Sequence, residues 1–114
     1  MKKTLIILGT FILMASCTVQ KPLYSWEKYE KASYAYLKNS DDESTQNLIE
    51  NYEKIIDQQS GTRNVPPPGI CADYAFVLLE MGKTDKGKEL LQREIELYPE
   101  SRIFIERILK MLDR

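Results

Sequence analysis

The stretch that decides the fold is CADYAFVLLEMGKTDKGKELLQREIELYP, residues 71–99. Its first half is apolar on more than one face. Ile70, Cys71, Tyr74, Leu78 and Met81 recur on one stripe, and Ala72, Phe76 and Leu79 on another. A helix that is apolar nearly all round is buried between neighbours, so a central helix is expected over residues 68–81. Gly82 ends it. An amphipathic helix follows over residues 84–98, with Leu90, Leu91, Ile95 and Tyr98 inward. Pro99 stops it, because the proline ring removes a donor and clashes with the preceding turn. Ala75 and Gly87 let two antiparallel helices approach closely, and larger residues fill the space around that contact.

Working outward, residues 25–38 form a first helix, with Ser25 as N-cap and Glu27 in the first turn. Trp26, Tyr29, Ser33, Tyr36 and Leu37 follow one side, and Asn39 and Ser40 break it. Residues 41–59 form a second, where Ser40 and Glu43 have capping-box spacing. Leu48, Ile49, Tyr52, Ile55 and Ile56 make its inner stripe, and Gly61 is its expected stop. The loop GTRNVPPPG, residues 61–69, carries three prolines and reads as a stiff connector. Its last prolines suit the first turn of the next helix. Residues 101–112 form a last helix with Phe104, Ile108, Met111 and Leu112 on one side. No run reads as a strand longer than four residues.

Counting from Cys71, offsets of 3, 4, 7, 16, 20 and 28 fall on Tyr74, Ala75, Leu78, Gly87, Leu91 and Pro99. This pattern of large, small and terminating residues resembles one tetratricopeptide repeat. It departs at Cys71, where tryptophan is usual, and at Glu94, where a small residue is common. The first half is out of register, since a count from Trp26 puts Glu30 and Asp42 at the small positions. One repeat cannot bury its own faces, so the remaining helices must cover it. The expected fold is all-α, made of antiparallel, tetratricopeptide-like helix hairpins with about five helices in the mature chain.

The N-terminus has Lys2 and Lys3, an apolar run over residues 4–14, then Ala15 and Ser16. The run is shorter than the ~20 residues a membrane span needs and has the order of a signal peptide. Met14-Ala15-Ser16-Cys17 resembles the lipobox of bacterial lipoproteins, with Met14 where that family prefers leucine. The resemblance implies removal of residues 1–16 and a diacylglycerol thioether with an acylated amine on Cys17. Two or more acyl chains anchor a protein stably without spanning the bilayer. Residues 17–22 then form a tether reaching at most ~3.5 Å per residue, and residues 23–114 form the helical domain. Thr18 is not aspartate, which by resemblance to lipoprotein sorting implies the outer membrane, facing the periplasm.

The mature chain has 98 residues (114 less 16) and net charge −3, from 14 basic and 17 acidic residues. No basic patch suggests nucleic acid. The chain has no histidine, which excludes histidine-dependent nucleophilic arrangements and the commonest transition-metal ligand. With Cys17 lipidated, Cys71 is left as a small buried thiol. Asp41, Asp42 and Glu43 complement a helix dipole rather than hold a cation, and no glycine-rich phosphate loop exists. No catalysis, no metal and no cofactor beyond the lipid are expected.

LYSW (residues 23–26), the proline loop and GKTDKGKELLQREIELYPES (residues 82–101) together resemble a family of small bacterial lipoproteins of unknown function. Members are often associated with a lipoprotein resembling the curli secretion pore. The resemblance implies a protein partner, another envelope lipoprotein among the candidates. Stacked helices offer a concave face, and aromatic residues are enriched in interface hot spots. Phe76 and Leu79 on the central helix and Trp26 on the first are therefore the expected partner-binding residues. The expected role is that of an adaptor in a cell-envelope assembly. The alternative is a structural lipoprotein that holds peptidoglycan or another glycan on its aromatic first helix.

Overall fold

The computed structural model describes Lys2, Lys3 and residues 19–114, so the expected lipid site Cys17 and the rest of the expected signal peptide lie outside the described residues. The described residues form five α-helices and no strand. These are α1 (Tyr29–Asn39), α2 (Asp42–Asp57), α3 (Ile70–Glu80), α4 (Thr84–Leu97) and α5 (Arg102–Leu112), with a 3-10 turn at Pro99–Ser101. Each helix packs on the next along the chain. Turns of two residues after α1 and three after α3 make two antiparallel hairpins. None of the described helices is long and apolar enough to cross a membrane.

The expected close approach of α3 and α4 is present. A Cβ on Gly87 would lie 2.8 Å from Cδ2 of Leu79 and 3.3 Å from the carbonyl oxygen of Ala75. Only glycine leaves α4 room against α3 without displacing Leu79. Around that contact Cys71, Tyr74, Leu78, Leu91 and Ile95 are buried. The first hairpin also buries a small residue at the start of its second helix. Ser44, in the first turn of α2, is buried as Gly87 is in the first turn of α4. A count from Trp26 fails because α1 begins only at Tyr29 and the following turn is one residue shorter.

Three expected helix ends are corrected. Ser25 is not an N-cap. It precedes α1, and its hydroxyl donates to Glu27 Oε1 at 2.7 Å. The capping box of α2 is Asp41 with Ser44, not Ser40 with Glu43. The Ser44 N–H donates to Asp41 Oδ1 at 2.7 Å, and the Asp41 N–H to Ser44 Oγ at 3.3 Å. Ser40 is already committed to closing α1 in the left-handed conformation, its N–H donating to the Tyr36 carbonyl. Aspartate one position later is therefore free to cap.

Gly61 does not terminate α2, which ends at Asp57. It makes room for residues 22–24 instead. A Cβ there would overlap the Leu23 carbonyl oxygen and lie 2.5 Å from Cα of Tyr24. The Thr62 and Arg63 N–H groups donate to the carbonyls of Pro22 (3.0 Å) and Leu23 (3.1 Å). The Gln59 side chain completes the strap. Its oxygen accepts the N–H groups of Ser25 and Gly61, and its nitrogen donates to the carbonyls of Ser25 and Ile55. Both polar ends of one amide are thus used on backbone.

The prolines lie outside α3. Pro66 and Pro67 are buried in the loop, and Gly69 caps α3 at φ +91°, a conformation open to glycine without strain. On α5 the inward row is Ile105, Ile108, Leu109 and Leu112, whereas Phe104 and Met111 are exposed. Leu37 on α1 and Met81 after α3 are exposed as well. α5 packs on α4 alone among the helices, so only one of its two adjacent apolar rows is covered.

Cys71 is the buried thiol the sequence suggests, fully covered at the α3–α4 interface. Burial, and secondarily the nearby Glu94 carboxylate, pushes its thiol up to about 11. The thiolate is the reactive species, so little of it exists near neutral pH. In a Cys17→Ser chain, alkylation of the folded protein should be at least ~100-fold slower than of a free thiol. Adding urea to the unfolding midpoint should restore it, as followed by mass spectrometry.

Candidate functional site

An aromatic seam joins the two hairpins. Trp26 leans on Tyr29 with ring centres 5.8 Å apart, Tyr29 lies 5.8 Å from Tyr52, and Tyr52 stacks on Tyr74 at 5.3 Å. Polar ends pin the rings from both sides. Tyr29 donates to Asp73 Oδ2 at 3.1 Å and Tyr74 to Glu53 Oε1 at 2.9 Å. Lys86 donates to the Tyr74 hydroxyl at 3.2 Å, with its ammonium 5.4 Å from the ring centre. Burial raises the Tyr29 phenol, and the neighbouring Asp73 carboxylate raises it further. The Asp73 carboxyl is itself raised by burial.

A cleft of about 520 Å³ opens beside this seam, between α3 and α5. The start of α3 gives one wall through Gly69, Ala72 and Phe76. Phe104 and Ile105 of α5 face them, and Tyr98 and Ser101 of the connecting turn close one end. Tyr98 is fixed by donating its hydroxyl to the Pro66 carbonyl at 2.7 Å. Phe76 is half-buried and Phe104 is 62% exposed, so the cleft keeps an open apolar rim.

Its charged groups have one sign. The carboxylates of Asp73, Glu94 and Glu100 line it, and no lysine or arginine does. Glu94 is 3% exposed. Its Oε1 accepts the Gly69 N–H at 2.7 Å, which ties the α3 cap to α4. Its Oε2 has no hydrogen-bond partner among the described residues. An unpaired buried acceptor is costly, and a buried carboxylate more so.

The expected binding residues are not brought together. Phe76 lines the cleft. Leu79 lies inside the α3–α4 hairpin against the Gly87 backbone, where it serves packing. Trp26 ends the aromatic seam at 46% exposure, outside the residues that line the cleft. Sequence reasoning missed Phe104, because it was placed on the inward row of α5. Glu94 it noted only as a departure from the repeat pattern, not as a site residue. The signal there was a carboxylate standing where tight helix packing calls for a small residue.

Neither the curated proteins nor the solved structures contain a match to the chain. Residues 23–108 match the family described as Domain of unknown function (DUF4810). The matched span starts in the segment held by Gln59 and runs through both hairpins into α5. By that match, which covers well over half of its length, the chain belongs to the DUF4810 family.

Proposed function

We propose that the chain is a non-catalytic adaptor of the cell envelope, lipid-anchored through Cys17 on the periplasmic side of the outer membrane. Its hairpins would hold a segment of a partner protein, another envelope lipoprotein being the leading candidate. The observation that carries this reading is the open cleft between α3 and α5, with Phe76 on one wall and the exposed Phe104 on the other. An exposed aromatic beside an unfilled apolar cleft is the usual make-up of an interface anchor. The signal peptide and MASC sequence support the anchor.

Two outcomes are expected. Cys17→Ser should abolish incorporation of labelled palmitate and move the protein out of the membrane fraction. Incorporation that persists would remove the anchor from the account. Phe76→Ala combined with Phe104→Ala should lower partner capture in a detergent pull-down by about tenfold or more, with helical circular dichroism retained. Undiminished capture would count against the cleft. The exposure of Trp26 and Tyr34 keeps a second reading, in which these rings stack on glycan. Co-sedimentation with peptidoglycan that is lost in Trp26→Ala would favour it.

A further inference from the structure

We infer that the α3–α5 cleft recognises a basic side chain, a lysine or arginine set beside an apolar residue in an extended partner segment. The inference rests on the adaptor reading above and names the chemistry of the partner at that site. Its basis is the unpartnered oxygen of Glu94. This carboxylate is almost wholly covered, lines the cleft and uses only one of its oxygens, on the Gly69 N–H. Oε2 is a pure acceptor and needs a donor.

The charge pattern says what kind of donor. Asp73 and Glu100 line the same cleft, and no lysine or arginine of the chain lines it. Asp73 already receives the Tyr29 hydroxyl, so its position is fixed before any ligand arrives. A cationic donor suits a cleft whose charged groups are all acidic, whereas an anionic or purely apolar segment would leave Oε2 unpaired. Charge-assisted hydrogen bonds of this kind are shorter and stronger than neutral ones. Phe76 and Phe104 supply apolar surface for the neighbouring residue, and an aromatic face also favours a guanidinium or ammonium above it.

Glu94 thereby acquires a reason to stand at a packed position. At the corresponding place in the helix pattern a small residue would give better packing, yet this chain buries a carboxylate there. Its Oε1 bond to Gly69 ties the α3 cap to α4 and leaves the second oxygen, on a residue that lines the cleft, without a donor.

The test uses the full chain in detergent solution and two probes, acetyl-Leu-Arg-Leu-amide and the same peptide with neutral citrulline for arginine. Binding is followed by NMR through the amide resonance of Gly69 and those of Ala72 and Phe76. The arginine peptide should shift these resonances and bind about tenfold more tightly than the citrulline peptide, a difference of ~1.4 kcal/mol. Glu94→Gln keeps an oxygen for the Gly69 N–H and removes the charge, and it should abolish the discrimination. Equal binding of both peptides at the cleft would overturn the assignment of a basic group and leave the adaptor reading standing. Failure of the arginine peptide to move the cleft resonances would overturn the assignment as well, with partner capture by the Phe76/Phe104 pair still deciding the adaptor reading separately. Should Glu94→Gln fail to fold, the arginine–citrulline comparison on the native chain decides the matter alone.

Discussion

Replacing Gly61 with valine should detach residues 22–25 from the domain and lower its stability by about 2–4 kcal/mol. The figure follows from four hydrogen bonds lost, two between backbone groups and two from the Gln59 side chain to Ser25, at a net ~0.5–1.5 kcal/mol each, partly offset by the regained freedom of the freed segment. Any side chain at position 61 meets backbone, the carbonyl of Leu23 and Cα of Tyr24, which cannot move aside as a side-chain end can. The Thr62 and Arg63 amides lose the Pro22 and Leu23 carbonyls, and the Gln59 side chain loses Ser25. For a domain of this size the midpoint of thermal unfolding should drop by roughly 10–20 °C. Hydrogen exchange at Thr62 and Arg63 should rise in parallel. A midpoint within ~2 °C of the native value would show that the strap contributes nothing.

Tyr52→Ala should cost about 3–5 kcal/mol, the usual range for truncating a buried aromatic. Tyr52 sits in the middle of the seam, between Tyr29 of α1 and Tyr74 of α3, so its removal separates the two hairpins as well as opening a cavity. A small domain has only about 5–15 kcal/mol in total. The variant should therefore melt early. It should also melt unevenly, with near-ultraviolet circular dichroism from the tyrosines lost before the helical signal. Tyr34→Ala is the control. That ring is exposed on α1, and its removal should stay within ~0.5 kcal/mol of the native value. Equal effects of the two substitutions would contradict the seam as the join between hairpins.

The α3–α4 hairpin was legible because its signals are local and mutually consistent. Ala75 and Gly87 mark the close approach, Gly82 the turn, and Pro99 the point where α4 gives way to a tighter turn. The α1–α2 boundary was not, because Ser40 and Asp41 are both good cap residues. Only the left-handed closure of α1 on Ser40 decides between them. The strap was illegible for a different reason. Gln59 reaches Ser25 across 34 residues of chain, and no periodicity encodes such a contact.

The cleft was half legible. Phe76 stood out on the second stripe of a helix apolar on two sides, and α3 does present that stripe to the cleft. Phe104 did not, because α5 carries two adjacent apolar rows and spacing alone cannot tell which one meets α4. Leu79 shares the stripe with Phe76 but falls beside Gly87, where the absent side chain draws it into the hairpin. Two residues of one stripe thus serve different ends, one packing and the other surface.

The central claim is that a partner segment occupies the cleft between α3 and α5. The most direct measurement places a photo-crosslinking amino acid at Phe104 in one chain and at Tyr34 in another, each expressed in its native cell. Both positions are exposed, and only the first lines the cleft. The account predicts one discrete protein adduct from position 104, lost when Phe76→Ala is added, and none from position 34. An adduct from position 34 with none from position 104 would contradict it.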